Sequence, residues 1–380
     1  MANQLISRNE LANSNYLRLS KMNQEIKELL HKGTVIPAHP LVLNQNRTLD
    51  EDRQRRLTRY YLASGVGGVA MGVHTTQFEI RKPEINLLET VLRLAAEEID
   101  KAELKRPIIK VAGIAGPTEQ AINESHLALK YGYHLGLLSL GGLDDLTEEQ
   151  LIQHAQKIAE VIPIFGFYLQ PAVGGRVLSY GFWKKFVEIP NVHAIKIAAF
   201  NRYQTLDVIR ALCGSSRHDE IALYTGNDDN IVADLLTPYK FNINGKKVEK
   251  KFVGGLLGHW AVWTKKATTL FEEINKCKAN GGKGIENLLS IGIEVTDMNE
   301  AIFDAKNSFR GCIPGIHEVL RRQGLIQGRW CLNPFEEVSS GQLEEIDRIY
   351  KMYAHHTDDD FVREFIENDN KVQVPKSAVA

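Results

Sequence analysis

Residues 107–168 read PIIKVAGIAGPTEQAINESHLALKYGYHLGLLSLGGLDDLTEEQLIQHAQKIAEVIPIFGFY. Three short apolar runs have the length of buried strands, and the two longer runs between them have the period of amphipathic helices. We predict strands at 107–112, 135–139 and 162–168, and helices at about 118–131 and 147–161. Thr147 and Gln150 fit a capping box at the start of the second helix. Strands that alternate with helices in this way form a parallel sheet with right-handed crossovers.

The same alternation continues on both sides of this stretch. Further strand-like runs lie at 34–38, 68–73, 191–199, 221–224 and 252–257. Eight strand–helix units fit a closed barrel better than an open sheet, and no G-x-G-x-x-G opens the first unit as a dinucleotide-binding domain requires. We therefore predict an α/β fold, a (β/α)8 TIM barrel over 34–260, with a hairpin inserted near 241–251 around the turn Asn244-Gly245.

The segments outside the barrel have a different pattern. Residues 1–33 are predicted to be a polar lead-in followed by a helix at about 20–31. Residues 261–367 carry helical runs only and are predicted to form a C-terminal helical extension, with a tail at 368–380. Its candidate helices lie at 261–278, 285–293, 299–308, 316–322, 342–353 and 358–367.

The composition excludes several classes of protein. The formal net charge is −1, which gives no reason to expect a nucleic acid or an anionic membrane as partner. The four cysteines form no C-x-x-C pair and are too few for a disulfide framework, so we expect a reducing, cytoplasmic setting. The first residues carry no apolar core of a secretory signal, and no run has the length of a membrane helix.

The predicted strand at 191–199 contains a lysine in its middle. Strand alternation places Ile195 and Ile197 on one face and Ala194, Lys196 and Ala198 on the other, so the lysine has space around its tip. A desolvated lysine lowers its pKa, and the neutral amine is a nucleophile for carbonyl compounds. The alternatives are a lysine that extends to water from an edge strand and one that pairs with a carboxylate.

Active sites of TIM barrels lie at the carboxyl ends of the strands. There Tyr168 ends the fifth strand, and Thr75 and Thr76 follow the second. Lys196 with these groups suits a Schiff-base enzyme, in which Tyr168 moves protons and the threonines hold a carboxylate. The structural alternatives are a core tyrosine with a satisfied hydroxyl and loop-capping threonines.

The other polar residues at the strand ends have simpler interpretations. Gly226-Asn227-Asp228-Asp229 is predicted to be a turn with an N-cap. His74, His193 and His259 lack the spacing of metal ligands. We therefore expect neither a metal nor an organic cofactor.

Several of these motifs together resemble the dihydrodipicolinate synthase / N-acetylneuraminate lyase family of class I aldolases, over about residues 34–335. Val73-His74-Thr75-Thr76 is similar to the family's G-T-T-G-E loop, Tyr168-Leu169-Gln170-Pro171 to its Y-N-x-P segment, and the strand ending at Lys196 to its P-N-x-x-x-x-K strand. The separation of Tyr168 and Lys196, 196 − 168 = 28 residues, is the family spacing. Residues 62–68 are similar to the family's junction between a helix and the second strand, and residues within 112–122 are similar to its third loop.

The resemblance implies a TIM barrel in which Lys196 forms an imine with pyruvate or another 2-oxo acid and Tyr168 is the proton shuttle. Thr75 and Thr76 would hold the carboxylate, with His74 as the alternative occupant of the first threonine position. It also implies an aldehyde as a second substrate and a homodimer or homotetramer.

Three departures from the family pattern argue against the lysine-biosynthetic reaction. Gln77-Phe78 replaces the G-E that follows the threonines. Val173 stands where dihydrodipicolinate synthases carry an arginine for the second carboxylate, and Arg176 is out of register. The tyrosine that a neighbouring subunit contributes has no counterpart near 140–143.

We therefore expect a divergent class I aldolase or lyase that cleaves or forms a C–C bond through the imine. Two alternatives stay open: a dehydratase of a 2-keto-3-deoxy sugar acid that uses the same imine, and a non-catalytic descendant that binds a ligand.

Overall fold

The computed structural model describes residues 22–373. The predicted lead-in before residue 22 and the end of the predicted tail after residue 373 lie outside these residues. The strands are β1 (Val35–Pro37), β2 (Gly68–Met71), β3 (Ile109–Ile114), β4 (Leu135–Leu138), β5 (Ile164–Leu169), β6 (Val192–Ala198), β7 (Ala222–Thr225), β8 (Tyr239–Ile243), β9 (Lys246–Lys250) and β10 (Phe252–Leu257).

The helices alternate with these strands and then follow them. They are α1 (Gln24–Lys32), α2 (Glu51–Ser64), α3 (Leu88–Lys101), α4 (Thr118–Lys130), α5 (Glu148–Ala159), α6 (Tyr180–Phe186), α7 (Arg202–Cys213), α8 (Ile231–Leu236), α9 (Thr264–Ala279), α10 (Ile285–Phe303), α11 (Cys312–Arg322), α12 (Gln342–Met352) and α13 (Asp359–Gln373). Thr147 and Gln150 form the predicted capping box at the start of α5.

Eight strands form the predicted (β/α)8 barrel. Their spatial order is β1-β10-β7-β6-β5-β4-β3-β2, and every neighbouring pair is parallel. A parallel bridge between Ala38 and Ala70 links the two ends of this order, where the N–H of His39 donates to the carbonyl oxygen of Ala70 at 2.8 Å. The sheet therefore closes on itself, and the predicted fold class is confirmed.

The side chains of each strand alternate between the barrel interior and the helix layer, as strand geometry requires. On β6, Ala194 and Ala198 pack in the interior cluster, whereas Ile195 and Ile197 pack in the larger cluster between the strands and the helices. This is the division of faces predicted for the lysine strand. Lys196 consequently extends into the barrel.

Both ends of the barrel are covered. Ile26 and Leu30 of α1 pack against the interior cluster, and the hydroxyl of Tyr224 donates to the carbonyl oxygen of Leu30 at 2.9 Å. Tyr224, one residue before the end of β7, therefore contacts α1 across the barrel interior. At the carboxyl ends of the strands, side chains from α10 and α11 and from the segment between them face the interior.

The predicted hairpin precedes the last strand of the barrel. β8 and β9 are antiparallel, and Asn244 and Gly245 join them with φ angles of 50° and 79°. Two positive φ angles are typical of the type I′ turn that Asn-Gly favours.

The C-terminal extension differs from the prediction in two places. The separate helices expected at 285–293 and 299–308 are one continuous helix, α10, because Val295 and Met298 are buried and continue its apolar side. The tail expected to start at residue 368 is helical as far as Gln373, and Asp369 in this part accepts from Arg56 and Arg59 of α2. Within residues 22–373, none of the helices combines the length and apolar composition that crossing a membrane requires.

Candidate active site

A cavity of about 580 Å³, including its part open to solvent, lies at the carboxyl ends of the barrel strands. We call it the Lys196 cavity. Its wall comes from the barrel and its loops, and Phe303, Phe309, Cys312 and Ile316 of the C-terminal region complete it. Its size is typical of small-molecule sites, and its position is where TIM-barrel enzymes carry their active sites.

Lys196 extends into this cavity from β6. The residue is only 8% exposed, and its Nζ lies 4.5 Å from the ring centroid of Phe167, its register partner on β5. Gly226 makes room for the side chain, since a Cβ atom at this position would lie 2.5 Å from the lysine Cε. The lysine therefore lies between small and aromatic neighbours.

Lys196 and Asp228 perturb each other's ionisation. Burial lowers the pKa of the Lys196 ammonium from its usual 10.5 to about 8, although the Asp228 carboxylate opposes the fall. Burial raises the pKa of the Asp228 carboxyl to about 7, and hydrogen bonding and the lysine charge oppose the rise. Each group thus titrates near neutral pH, where one can serve as an amine nucleophile and the other as a proton donor or acceptor.

The loop after β7 holds Asp228 in the cavity wall. Oδ1 of Asp228 accepts from the N–H of His259 at 2.9 Å, and its carbonyl oxygen accepts from Nδ2 of Asn299 at 2.7 Å. Asn227 fixes the same loop, because it donates to Asp234 at 2.9 Å and accepts from the N–H of Phe200 at 3.0 Å. These residues were predicted to be a turn with an N-cap, without a role in the site. Two adjacent acids at the end of a barrel strand were the available signal.

The loop after β2 places one of its two predicted carboxylate-binding threonines in the cavity wall. Thr75 lines the cavity, and its hydroxyl donates to the carbonyl oxygen of Ala38 at 2.9 Å. Thr76 lies behind it in the wall, where its hydroxyl donates to the carbonyl oxygen of His39 at 2.7 Å and accepts from the N–H groups of Gly72 and Val73. Thr76 therefore stabilises the turn and does not face the Lys196 cavity.

His74 lines both the Lys196 cavity and a neighbouring pocket that contains Phe78 and Lys82. The residue is half-buried, and desolvation, together with the charge of Lys196, lowers the pKa of its imidazole to about 4. His74 is accordingly neutral at pH 7. It remains an alternative to Thr75 as a contact for a substrate carboxylate.

Tyr168 lies on the opposite face of β5 from the cavity. Its hydroxyl donates to the carbonyl oxygen of Leu178 at 3.3 Å and accepts from the N–H of the same residue at 3.2 Å, while its ring packs against Trp183. Phe167 faces Lys196 instead. The arrangement contradicts the prediction that Tyr168 lies beside the lysine, because adjacent residues of a strand point to opposite faces.

Metal ligands were not predicted around the lysine. In the described part of the chain, one group of three side chains has atoms close enough to share a metal ion, namely Glu294, His355 and His356. None of the three lines the Lys196 cavity.

Comparisons with known proteins identify the family of the chain. A model of the Dihydrodipicolinate synthetase family matches residues 32–238, which are 207 of the 380 residues. The chain belongs to this family. The predicted family resemblance is thereby confirmed, and membership of the dihydrodipicolinate synthetase family supports an activity of the aldolase-type lyase class.

Individual relatives are distant. N-acetylneuraminate lyase 2 of Escherichia coli O6:H1 is 22% identical over 326 residues, 85% of this chain and 95% of that protein. The 4-hydroxy-tetrahydrodipicolinate synthase of Syntrophobacter fumaroxidans is 30% identical over 182 residues, 47% of this chain and 58% of that protein. These two names denote different reactions, so neither specifies the substrate here.

Solved structures share the fold. Dihydrodipicolinate synthase from Oceanobacillus iheyensis superposes with a TM-score of 0.69 at 16% identity, over 87% of this chain and 99% of that one. N-acetylneuraminate lyase from Fusobacterium nucleatum, solved with pyruvate, superposes with a TM-score of 0.66 at 18% identity, over 86% of this chain and 99% of that one.

Proposed function

We propose that this protein is a class I aldolase or lyase in which Lys196 forms a Schiff base with pyruvate or another 2-oxo acid. The observation that carries the proposal is a buried lysine, with its pKa lowered to about 8, in a cavity at the catalytic end of a barrel of this family. At pH 7 about a tenth of such a lysine is the neutral amine, compared with about one part in three thousand for an unperturbed lysine.

The first half of the reaction forms the imine. The amine of Lys196 attacks the C2 carbonyl carbon of the 2-oxo acid, and the resulting carbinolamine loses its hydroxyl group as water to give a protonated imine. The positive nitrogen then accepts electrons from the bond that breaks. The carboxylate beside the ketone lies against Thr75 and His74 in this proposal, because both residues line the cavity at the loop after β2, and the Thr75 hydroxyl exchanges its bond to the Ala38 carbonyl for one to the carboxylate.

The second half cleaves the C–C bond. The hydroxyl on C4 gives up its proton, the bond between C3 and C4 breaks, and its electron pair moves to C3 to form an enamine. The C4 fragment leaves as an aldehyde. A proton returned to C3, followed by addition of the water lost earlier, releases pyruvate and the free amine. The aldol direction is the exact reverse in atoms and electrons.

Asp228 is the residue we assign to proton transfer in this cycle. It lines the same cavity as Lys196, and its carboxyl group exchanges protons near neutral pH. His74 is neutral with a pKa near 4 and is a poorer proton carrier at pH 7. The hydroxyl of Tyr168 is engaged with Leu178 on the far side of β5.

Borohydride trapping tests the proposal. The protein is incubated with each of a panel of 2-oxo acids and with sodium borohydride, and its intact mass is measured. We expect an adduct with pyruvate that is absent in Lys196→Met. Lys110→Met is the matched control, since Lys110 is also 8% exposed but pairs with Asp100 at 3.1 Å. An unmodified protein across the whole panel would contradict the proposal.

The second candidate function is ligand binding without catalysis. It is favoured by one observation: Phe167, which cannot transfer a proton, occupies the place beside Lys196 that was predicted for Tyr168. This candidate predicts reversible binding of the 2-oxo acid with no trapped adduct. If trapping succeeds, analysis of the products distinguishes C–C cleavage from the dehydration of a 2-keto-3-deoxy sugar acid.

A further inference from the structure

The part of the Lys196 cavity beyond the reacting atoms is lined by apolar side chains. Phe200, Phe303 and Phe309 contribute three aromatic rings, and Leu169, Val173 and Ile316 contribute aliphatic surface. Apolar linings of this kind select ligands by the burial of apolar area. If the imine forms at Lys196, these side chains surround whatever group the substrate carries on C4.

A second anionic group on the substrate has no cationic partner in this lining. Among the described residues that form the cavity wall, Lys196 is the sole lysine or arginine, and the imine consumes it. Arg176, three residues after Val173, donates instead to the carbonyl oxygens of Leu143 and Leu146 at 2.9 and 3.2 Å. Burying an unpaired carboxylate or phosphate costs several kcal/mol, and Asp228 would add repulsion when ionised.

A polyhydroxylated substrate chain also has few hydrogen-bond partners in the wall of the Lys196 cavity. After Thr75, His74 and Lys196 are assigned to the 2-oxo acid, the polar side chains left in the wall are those of Gln170 and Asp228. Each hydroxyl group of a sugar chain that loses water without gaining a hydrogen bond weakens binding. The lining therefore disfavours a sugar chain as well.

Two of the rings are held in place by an uncommon backbone conformation. Phe200, after β6, has φ of 50°, and Phe309, between α10 and α11, has φ of 64°. Their ring centroids lie 5.6 Å apart at an interplanar angle of 72°. A positive φ is costly for a bulky residue and persists where the surroundings enforce it. Barrel and C-terminal extension thus jointly form an aromatic surface in the wall.

We propose that the substrate of this enzyme carries an aryl or similarly apolar group on C4, so that the aldehyde it forms or consumes is aromatic. An aromatic aldehyde buries its ring against Phe200 and Phe309, and its carbonyl oxygen accepts the proton that Asp228 carries. This inference deepens the proposed function and rests on it.

An acceptor panel tests the inference in the aldol direction. The wild-type protein is given pyruvate with benzaldehyde, glyceraldehyde or succinic semialdehyde, and the 4-hydroxy-2-oxo acid products are quantified by mass spectrometry. We expect kcat/KM for benzaldehyde to exceed that for each of the others by at least about tenfold. A preference for glyceraldehyde or succinic semialdehyde, or no preference, would overturn the inference.

Borohydride trapping with pyruvate separates this failure from failure of the proposed function. If pyruvate is trapped on Lys196 and benzaldehyde is not preferred, the substrate class alone is wrong. If pyruvate is not trapped, the Schiff-base proposal itself fails, and the inference fails with it.

Two variants sharpen the test. Phe309→Ala should raise KM for benzaldehyde by about tenfold, with a smaller change in kcat, because it removes a ring that contacts the acceptor. Phe335→Ala is the matched control, since Phe335 is 92% exposed and does not line the cavity. An equal KM change in both variants would contradict a specific role of Phe309.

The second variant, Val173→Arg, adds a positive charge to the cavity wall. It is less disruptive to folding than a substitution in the buried core. Val173 lies on a half-exposed turn after β5. Val173→Arg should increase kcat/KM for succinic semialdehyde and decrease it for benzaldehyde. A decrease for both acceptors in a folded variant would indicate that Val173 does not face the acceptor and would overturn the assignment of this wall.

Discussion

At the residue scale, the orientation of Tyr168 decides whether its hydroxyl can move protons beside Lys196. The separation of 28 residues between Tyr168 and Lys196 matched the family, yet the two side chains lie on opposite sides of the barrel wall. The pairing of β5 with β6 shifts by one residue where His193 is passed over between Val192 and Ala194. A shift of one residue exchanges the two faces of a strand. The number of residues between Tyr168 and Lys196 does not reveal such a shift.

Tyr168→Phe tests the outward placement directly. We expect the rate of borohydride trapping with pyruvate to stay within about twofold of wild type. The hydroxyl that is removed makes its hydrogen bonds to the backbone of Leu178, outside the cavity. Stability should fall by about 1 kcal/mol, the usual net value of such hydrogen bonds. Loss of trapping in a folded Tyr168→Phe protein would show that the hydroxyl does reach the reacting atoms.

Asp228→Asn tests the assigned proton carrier. The carboxylate holds the pKa of Lys196 up against burial, so its removal should lower that pKa below about 8 and move the midpoint of the pH–trapping profile to lower pH. Turnover of the complete reaction should nevertheless fall by about 10²–10⁴-fold, since the group that moves protons is lost. Trapping is followed by mass spectrometry between about pH 6 and pH 9, about one unit beyond the two pKa values, and turnover by product formation. An unshifted profile would contradict the coupling.

At the element scale, the sequence was informative wherever local chemistry determines the outcome. The alternation of Ala194, Ile195, Lys196, Ile197 and Ala198 correctly predicted which face of β6 is inside, and Asn244-Gly245 correctly predicted the turn of the hairpin. The prediction of two helices where α10 is continuous was wrong, because burial of Val295 and Met298 depends on neighbours distant in sequence.

Gly226→Ala tests how the residue directly after β7 makes room for the lysine. The added methyl would lie 2.5 Å from the Cε of Lys196 and 2.9 Å from the Cβ of Ala198, so one of them must move. We expect trapping to slow by more than about tenfold and stability to fall by about 1–3 kcal/mol. Gly214→Ala is the control, because its methyl would meet nothing closer than 3.5 Å. Equal rates in the two variants would argue against this packing.

At the scale of the whole molecule, the C-terminal extension completes the cavity. The sequence placed helices after residue 260, but it could not show that Phe303, Phe309, Cys312 and Ile316 face Lys196. Such contacts join residues more than 100 positions apart (303 − 196 = 107) and depend on how the helices pack on the barrel. The expected homodimer or homotetramer remains a prediction.

Asp358 ties this extension to the barrel. Its Oδ2 accepts from the hydroxyl of Tyr60 at 2.8 Å and the N–H of Lys265 at 2.9 Å, and its Oδ1 accepts from Nε2 of Gln323 at 2.7 Å. We expect Asp358→Ala to destabilise the protein by about 2–4 kcal/mol, because it leaves buried donors without partners.

Thermal or urea unfolding measures this change. Asp360→Ala provides the comparison, since the Asp360 side chain is 96% exposed and its removal should alter stability by less than about 0.5 kcal/mol. Equal stability of the Asp358 and Asp360 variants would mean that the buried carboxylate does not hold the extension in place.

The central claim is that Lys196 is the Schiff-base lysine, and peptide mapping after reduction with pyruvate and borohydride tests it most directly. The expected result is a single modified peptide that contains Lys196, with Lys110 unmodified although both lysines are 8% exposed. Modification elsewhere, or no modification while the protein is folded, would contradict the claim.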